Sequence, residues 1–331
     1  MECNIYDSSL KKIGILSSFI SMTWNEQYSD VGSFMIAVYK DSDTLQYIRK
    51  GNFVAVRPYD TLMYIYSVED KNNQLWAYGA EAKVLLQRKI YNGKLTCKNI
   101  ETTLKTAVSE KNDISIIGVA ENKGLTAKTD SQRSYSSLFD LSKTWCDFAG
   151  YGFRLTYDRK NRSLLYDIYE GEYKEDVVFA EKYGNLYNLR RSSSQKQWAN
   201  VAYVAGAGEG EYRKVVVCGA TDTTGFERSE IFVDARDLQM EEGQTESEYE
   251  AILLSRGLET LANYNEIDEL DFEIETSGFG TDYKLGDIVS CLLPEYGLKL
   301  SIRICGFTTV YENNKTTTKL QLGIPILRSV I

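Results

Sequence analysis

One arrangement of short segments occurs twice in this chain of 331 residues, and it limits the fold more than any composition figure. Gly51-Asn52-Phe53-Val54-Ala55-Val56 reads as a glycine turn feeding a strand. A loop with one proline, Pro58, then leads to a second strand, and a hairpin with Glu69-Asp70-Lys71-Asn72-Asn73 at its tip returns a third that closes at Tyr78-Gly79. Near the carboxyl end Gly286-Asp287-Ile288-Val289-Ser290-Cys291 opens the same series. Here Pro294 stands in the loop, Glu312-Asn313-Asn314-Lys315 forms the tip and Leu322-Gly323 closes it. The order of parts predicts two copies of one small β domain, separated by inserted chain.

The remaining sequence fits that plan. Phe34-Met35-Ile36-Ala37-Val38-Tyr39, Met63 to Val68 and Leu75 to Tyr78 read as strands. Between about 98 and 150 the period changes, with Leu104, Ala107 and Val108 on one helical face and Leu138, Leu141, Trp145, Phe148 and Ala149 on another; serines at 134 to 137 are available as caps. Phe153 to Tyr157 and Leu164 to Tyr169 flank a turn-rich stretch and form a second hairpin. Thr245-Glu246-Ser247-Glu248 is a capping box ahead of Tyr249, Ile252, Leu253, Leu261 and Tyr264, so a helix is expected near 245–264. Gly257 inside it marks a close approach of another backbone. The fold class is therefore mainly β with an α+β insertion: two related β-barrel- or sandwich-like domains plus a mixed α/β module. The expected division is 1–95 for the first β-rich domain, 96–182 for the insertion with two helices and a hairpin, and 183–331 for the second.

Chemistry is conspicuous by what is missing. The chain has no histidine, which removes the commonest general base and zinc ligand. Its 38 Lys and Arg against 47 Asp and Glu give a net charge of −9, the wrong sign for a broad phosphate-binding surface, so no sequence-specific nucleic-acid binding is expected. The 24 tyrosines and only three prolines favour half-buried pleated faces and contacts. Cysteines at 3, 97, 146, 218, 291 and 305 have no close pair and read as small buried hydrophobes. The first residues lack a secretory pattern, so the chain is expected to start in the cytoplasm, and no apolar run reaches the 18 residues of a membrane span.

Candidate sites yield little. Gly206-Ala207-Gly208-Glu209-Gly210-Glu211 lacks the following helix and Lys-Ser/Thr of a phosphate loop and reads as a hairpin turn. Carboxylate pairs for sugar hydrolysis could come from Asp234, Asp237, Glu241 and Glu242, or from Glu266, Asp268, Glu269 and Asp271; solvated acidic faces are the simpler account. No run has the spacing of a calcium loop. Arg190-Arg191, followed by Ser192-Ser193-Ser194 and Lys196, reads as a polar linker or as one side of an interdomain ion pair. No catalytic, cofactor-binding or metal residue and no cofactor is assigned, and the protein is expected not to be an enzyme. The alternative is a carbohydrate-binding or carbohydrate-cleaving surface protein using the paired acids.

In Asn200 to Val217, Glu227 to Asp237, the capped helix and Tyr283-Lys284-Leu285-Gly286-Asp287-Ile288-Val289, taken in order, the chain resembles the tail-hub family. These proteins form the tail tip or baseplate hub of long-tailed phages, prophages and phage-tail-like particles. The likeness is best over about 185–325, and Trp24, Gly32-Ser33-Phe34 and Gly51 agree with it in the amino-terminal part. The resemblance implies a virion structural protein at the tail tip. Three chains carrying two tube domains each would match a sixfold distal tail ring above and a threefold spike, fibre or lysin protein below, around a channel for tape measure protein and DNA. Only six residues follow Pro325, so any lytic or receptor-binding part is expected on another polypeptide.

Overall fold

In the computed structural model the repeated blocks form with the same hydrogen bonds. The structure describes residues 2–57, 59–194, 196–264, 267–312, 315–323 and 326–330, with backbone alone at 191–194, 211, 267–272, 296 and 326–330. Pro58, Asn313, Asn314 and Pro325 lie outside the described residues.

The first unit runs through β1 (Cys3–Tyr6), β2 (Lys12–Leu16), β3 (Ser21–Gln27), β4 (Ser33–Tyr39), one helical turn α1 (Thr44–Tyr47), β5 (Phe53–Val56), β6 (Met63–Lys71) and β7 (Gln74–Glu81). A 3-10 segment, Ala82–Arg88, leads into the inserted module: β8 (Ile90–Thr96), α2 (Ile100–Lys111), β9 (Ile117–Val119), β10 (Gln132–Ser137), α3 (Leu138–Ala149), β11 (Gly152–Asp158) and β12 (Ser163–Tyr169). The remainder holds β13 (Tyr173–Phe179), β14 (Leu186–Ser194), β15 (Val201–Ala205), β16 (Val215–Gly219), β17 (Glu230–Asp234), α4 (Glu246–Leu261), β18 (Ile267–Ile274), β19 (Ile288–Leu293), β20 (Leu298–Glu312), β21 (Lys315–Leu322) and β22 (Ile326–Val330). The chain is mainly β.

Gly51 takes φ +92 and Gly286 φ +94, a region open to glycine and strained for other residues. Gly51 N–H donates to Ile65 O at 2.9 Å and Ile65 N–H to Asn52 O at 2.9 Å; Gly286 N–H donates to Ile304 O at 2.8 Å and Ile304 N–H to Asp287 O at 2.9 Å. Both hairpins then break register at the corresponding place, between Ile65 and Ser67 on β6 and between Ile304 and Gly306 on β20. A glycine turn, the residues facing it and a β-bulge thus recur together. Bulges bend and twist a strand, so the two hairpins leave their units at the same point. The first tip turns through Asn72 and Asn73, both with positive φ, as a two-residue hairpin requires.

The two units share one sheet, in the order β13-β19-β20-β3-β4-β7-β6-β5-β1-β2, with β21 and β22 also on β20. The join is β20. Its first part, Leu298 to Arg303, pairs with β19, and its second, Gly306 to Glu312, pairs antiparallel with Gln27 to Ser21 of β3. Among the described residues no barrel closes, because the edge that could close the second unit on itself is given to β3.

Each unit keeps its own core. Met22, Trp24, Phe34, Ile36, Met63, Ile65, Leu75 and Phe307 fill the first, and Phe179, Leu186, Val289, Leu293, Leu300 and Ile302 the second. Fully burying side chains of this size contributes about 1.5–3 kcal/mol each. The module packs Leu104, Phe139, Trp145, Phe153 and Tyr166 against the opposite face of β1 and β5, through Tyr6, Phe53 and Ala55. Ser137 caps α3 by accepting from Asp140 N–H at 2.9 Å, and Gly150 ends the helix with φ +70. In the small lobe formed by β16-β15-β17, the expected capping box starts α4, with Glu248 accepting from Thr245 N–H at 2.9 Å. The close approach at Gly257 is to sheet side chains, Val204 and Cys218, and not to another backbone. Tyr264 lies beyond the end of α4.

The duplication makes a stability prediction. A Cβ on Gly286 would fall within the ring of Tyr28, whereas nothing lies within 4 Å of the same position on Gly51. Gly51→Ala should cost about 1–2 kcal/mol, the price of the backbone conformation alone. Gly286→Ala adds overpacking of roughly 1–3 kcal/mol. Urea midpoints at low protein concentration measure the difference; equal losses would contradict it.

Candidate assembly site

Strand alternation sends one face of the long sheet into the cores; the module covers the other at β1 and β5, and the rest of it is open. On the open face register places Ser67, Glu69 and Lys71 of β6 beside Tyr78, Trp76 and Gln74 of β7, with Tyr39 of β4 beside Gln74. Ser21, Thr23, Asn25 and Gln27 of β3 continue it, opposite Glu312, Val310, Thr308 and Gly306 of β20, and then Lys315, Thr317, Lys319 and Gln321 of β21. Amides and hydroxyls knit this surface: Asn25 donates to Thr308 Oγ1 at 2.8 Å, and Gln27 to Gln321 Oε1 at 2.9 Å. Its acids sit beside lysines, with Glu273 of β18 3.0 Å from Lys319, Glu312 opposite Lys315, and Glu69 on the same side of β6 as Lys71. The face is polar and electrically balanced.

Several strands have an edge with no described partner, and two of these segments bear on assembly. β5 pairs with β6 only at Tyr64 and Met63, so Ser67 to Lys71 have β7 on one side and no described strand on the other. Among the described residues β14 pairs with β18 alone. Free edges are templates for another strand.

Beneath the open face a charged cluster ties the first unit to the module. Glu26 accepts from Trp24 Nε1 at 2.7 Å and Thr61 Oγ1 at 2.6 Å. Glu81 accepts from Gly32 N–H at 2.5 Å and Gln27 N–H at 3.1 Å. Lys83 Nζ lies 3.2 Å from Glu81 and donates to the carbonyls of Gln27 at 2.6 Å and Phe153 at 3.2 Å, with only 1% of its side chain exposed. Burial pushes the Glu81 carboxyl up to about 7, opposed by Lys83 and reinforced by Glu26; burial likewise raises Glu26.

Tyr28, just past β3, is where the three parts meet. Its hydroxyl lies 3.1 Å from Gly150 O and 3.2 Å from Tyr169 O of the module, and accepts from Arg303 Nη1 at 3.3 Å in the second unit. Arg303 also donates to Gly286 O at 2.7 Å. Burial moves the Tyr28 phenol up to about 12, so it stays protonated.

Glu26, Glu81, Lys83, Tyr28 and Arg303 were not singled out from sequence. A signal existed for Glu26, which follows Met22 and Trp24 at the inward period of two. Lys83 carried none, because its burial depends on three distant segments.

The candidate catalytic acids do not assemble a site. Asp234 pairs with Arg213, which holds its carboxyl below the usual range; Asp237 pairs with Arg256 at 2.9 Å and Glu241 with Lys94 at 2.5 Å. Glu242 borders a shallow acidic cleft with Glu241, Glu248 and Asp130. Glu266 lies outside the described residues, and Asp268, Glu269 and Asp271 are described in backbone only, on β18. The 206–211 stretch is the β15–β16 turn, held by Arg213 donating to the carbonyls of Gly206 and Ala205 at 2.6 and 2.7 Å. Among the described residues no cluster of His, Cys, Asp and Glu is placed to hold a metal, and no helix is long and apolar enough to cross a membrane. All six cysteines are free, five of them buried.

Comparison with known proteins places this architecture. Residues 2–324 match the family model described as Siphovirus ReqiPepy6 Gp37-like protein. No curated protein matches the sequence. Among solved structures, the chain is similar to a tail protein from Neisseria meningitidis MC58, at 12% identity and a TM-score of 0.59, covering 97% of this chain and 95% of that one. It is similar to the 43 kDa tail protein of prophage MuSo2 from Shewanella oneidensis, at 9% identity and a TM-score of 0.60, covering 98% of each. Prophage tail protein gp18 from Listeria monocytogenes EGD-e aligns at 10% identity with a TM-score of 0.57, over 97% of this chain and 94% of that one. At these identities the likeness is one of fold.

Proposed function

The chain belongs to the Siphovirus ReqiPepy6 Gp37-like family of phage tail proteins, and from that premise we propose that it is the trimeric hub of a tail tip, a structural and non-enzymatic virion component. The observation that carries this reading is the doubled unit: Gly51 and Gly286 open equivalent blocks, set side by side in one sheet through β20 and β3. A chain with two copies of a ring element supplies six from three subunits. It can meet a sixfold distal tail ring on one side and a threefold spike, fibre or lysin protein on the other. The proposed division near residues 95 and 182 sets the inserted module between the ring elements, although β13, before residue 182, pairs into the second unit's sheet.

The open face supports a channel for tape measure protein and DNA. A conduit must not retain what passes through it. Hydroxyls, amides and lysines neutralised by neighbouring acids offer no run of free cations for phosphate. The overall negative charge is not concentrated on this surface, so weak adsorption here comes from balance and not from repulsion by a sheet of acids. The paired acids of the lobe are held by Arg213, Arg256 and Lys94, and nothing in their geometry favours sugar chemistry.

Light-scattering mass and negative-stain images of the purified chain test the proposal. The expected result is three chains in a ring with a central opening, and addition of the distal tail protein should stack a second ring on it. A species that remains monomeric with and without that protein would remove the hub reading.

A further inference from the structure

Taking the trimeric hub as its premise, we infer that neighbouring subunits join by pairing β14 of one chain with the outer half of β6, Ser67 to Lys71, of a second copy. The chain contains its own precedent. In the first unit β4 packs beside β7 and β3 lies outside it, free to pair with the second half of β20. In the second unit β18 runs close to β21, tied by Lys319 to Glu273, and β14 lies outside it. β14 is therefore the counterpart of β3. Since Ile65 corresponds to Ile304, Ser67 to Lys71 is the counterpart of the stretch on β20 that receives β3. One copy of the seam is made within the chain; both halves of the other are left open.

Register follows from the same equivalence. Lys319 corresponds to Trp76, whose partner on β4 is Ala37, so Glu273 corresponds to Ala37 and its partner Tyr187 to Ser21. The bulge at Asn188, with φ +54, adds one residue, which aligns Arg190 with Thr23 and Ser194 with Gln27. Gln27 faces Gly306 across the internal seam and Thr23 faces Val310. Between chains Ser194 then faces Ser67 and Arg190 faces Lys71. This sets Arg190 diagonal to Glu69 but directly opposite Lys71, a like-charge contact, while the backbone position of Arg191 falls opposite Asp70, which pairs with Lys40 in its own chain. Cross-strand charge pairs of either sign bear on register.

A second observation agrees. The space above Gly286 is filled by Tyr28, which enters directly after β3 crosses β20, while the equivalent space above Gly51 is empty. The first unit therefore leaves open the space that the internal seam fills in the second, as expected if its own seam is completed by a neighbour. The contact is head-to-tail, and three copies close it into a ring.

Two cysteine pairs in the full-length protein decide the matter. Lys71→Cys with Arg190→Cys should give, on mild oxidation, covalent dimers and a terminal trimer and nothing larger. Lys71→Cys with Lys12→Cys, which pairs the β6 edge with the free edge of β2, should stay uncross-linked. Reversing charge with Glu69→Lys and Asp70→Lys should weaken association about tenfold or more, and adding Arg190→Glu and Arg191→Glu should restore it. A ring of three that links only through Lys12, or in neither variant, overturns the seam and leaves the hub reading standing. A chain that is monomeric at every concentration and never links overturns both.

Discussion

Lys83→Met is expected to lower the stability of the protein by about 3–5 kcal/mol at pH 8, the range for removing one partner of a buried ion pair. Methionine fills nearly the same volume, so little of the loss is packing. The cost arises because Glu81 and Glu26 remain buried without the ammonium that faces Glu81 at 3.2 Å, and the carbonyls of Gln27 and Phe153 lose their donor. Denaturant titration monitored by tryptophan fluorescence reads the change, and a loss below about 1 kcal/mol, the level of an exposed ion pair, would refute the account.

The pH dependence separates this mechanism from a simple packing defect. The ordinary carboxyl value for Glu81 is 4.5 and the folded one about 7, so between these values the fold holds a proton that the unfolded chain has released. Stability from this group is fully present below 4.5 and declines as pH rises towards 7. Removing Lys83 takes away the charge that opposes the rise and pushes the Glu81 carboxyl higher still. The variant should therefore be nearer wild type at pH 5, where Glu81 is neutral in both, than at pH 8. A loss equal at the two values would assign it to packing.

What the sequence disclosed and what it withheld divide by distance along the chain. The hairpin at Asn72-Asn73, the cap at Ser137 and the capping box at Thr245 rest on neighbours within four residues, and all form where local chemistry places them. The doubling was legible because each block repeats its own local order. The sharing of β20 between units was not, since Gly306 to Glu312 meet Gln27 to Ser21 through backbone groups that carry no residue signature. The same holds for the parallel pairing of β13 with β19, which carries chain following the inserted module into the second unit's sheet. Lys83, between Ala82 and Val84, looks like any solvated lysine until the ends of β3, β7 and β11 converge on it. Arg190-Arg191 was visible as a candidate partner for acids, but the acids it matches lie on an edge that only the internal precedent of β3 and β20 identifies.

Trp24→Ala should be the most damaging change in the first unit, at about 3–5 kcal/mol. The indole is fully buried, stacked on Tyr59 at 5.2 Å between centroids and edge-on to Phe34 at 5.8 Å. Its loss opens a cavity and removes one of the two donors to Glu26, leaving Thr61. Tyr59, no longer held on that side, faces Phe307 at 5.2 Å and bonds Thr309 at 3.1 Å, and both of these residues belong to β20. Damage on β3 therefore reaches the strand that the second unit uses, through ring contacts as well as the ladder. If the shared strand couples the units, the variant unfolds in one transition shifted as a whole, and hydrogen exchange quickens at Val289 and Ile302 of the second core together with Ile36 and Ile65 of the first. Two separate transitions, with the second core still protected, would show that β20 joins units that fold independently, and the doubled sheet would then be an assembly of two domains and not one continuous wall.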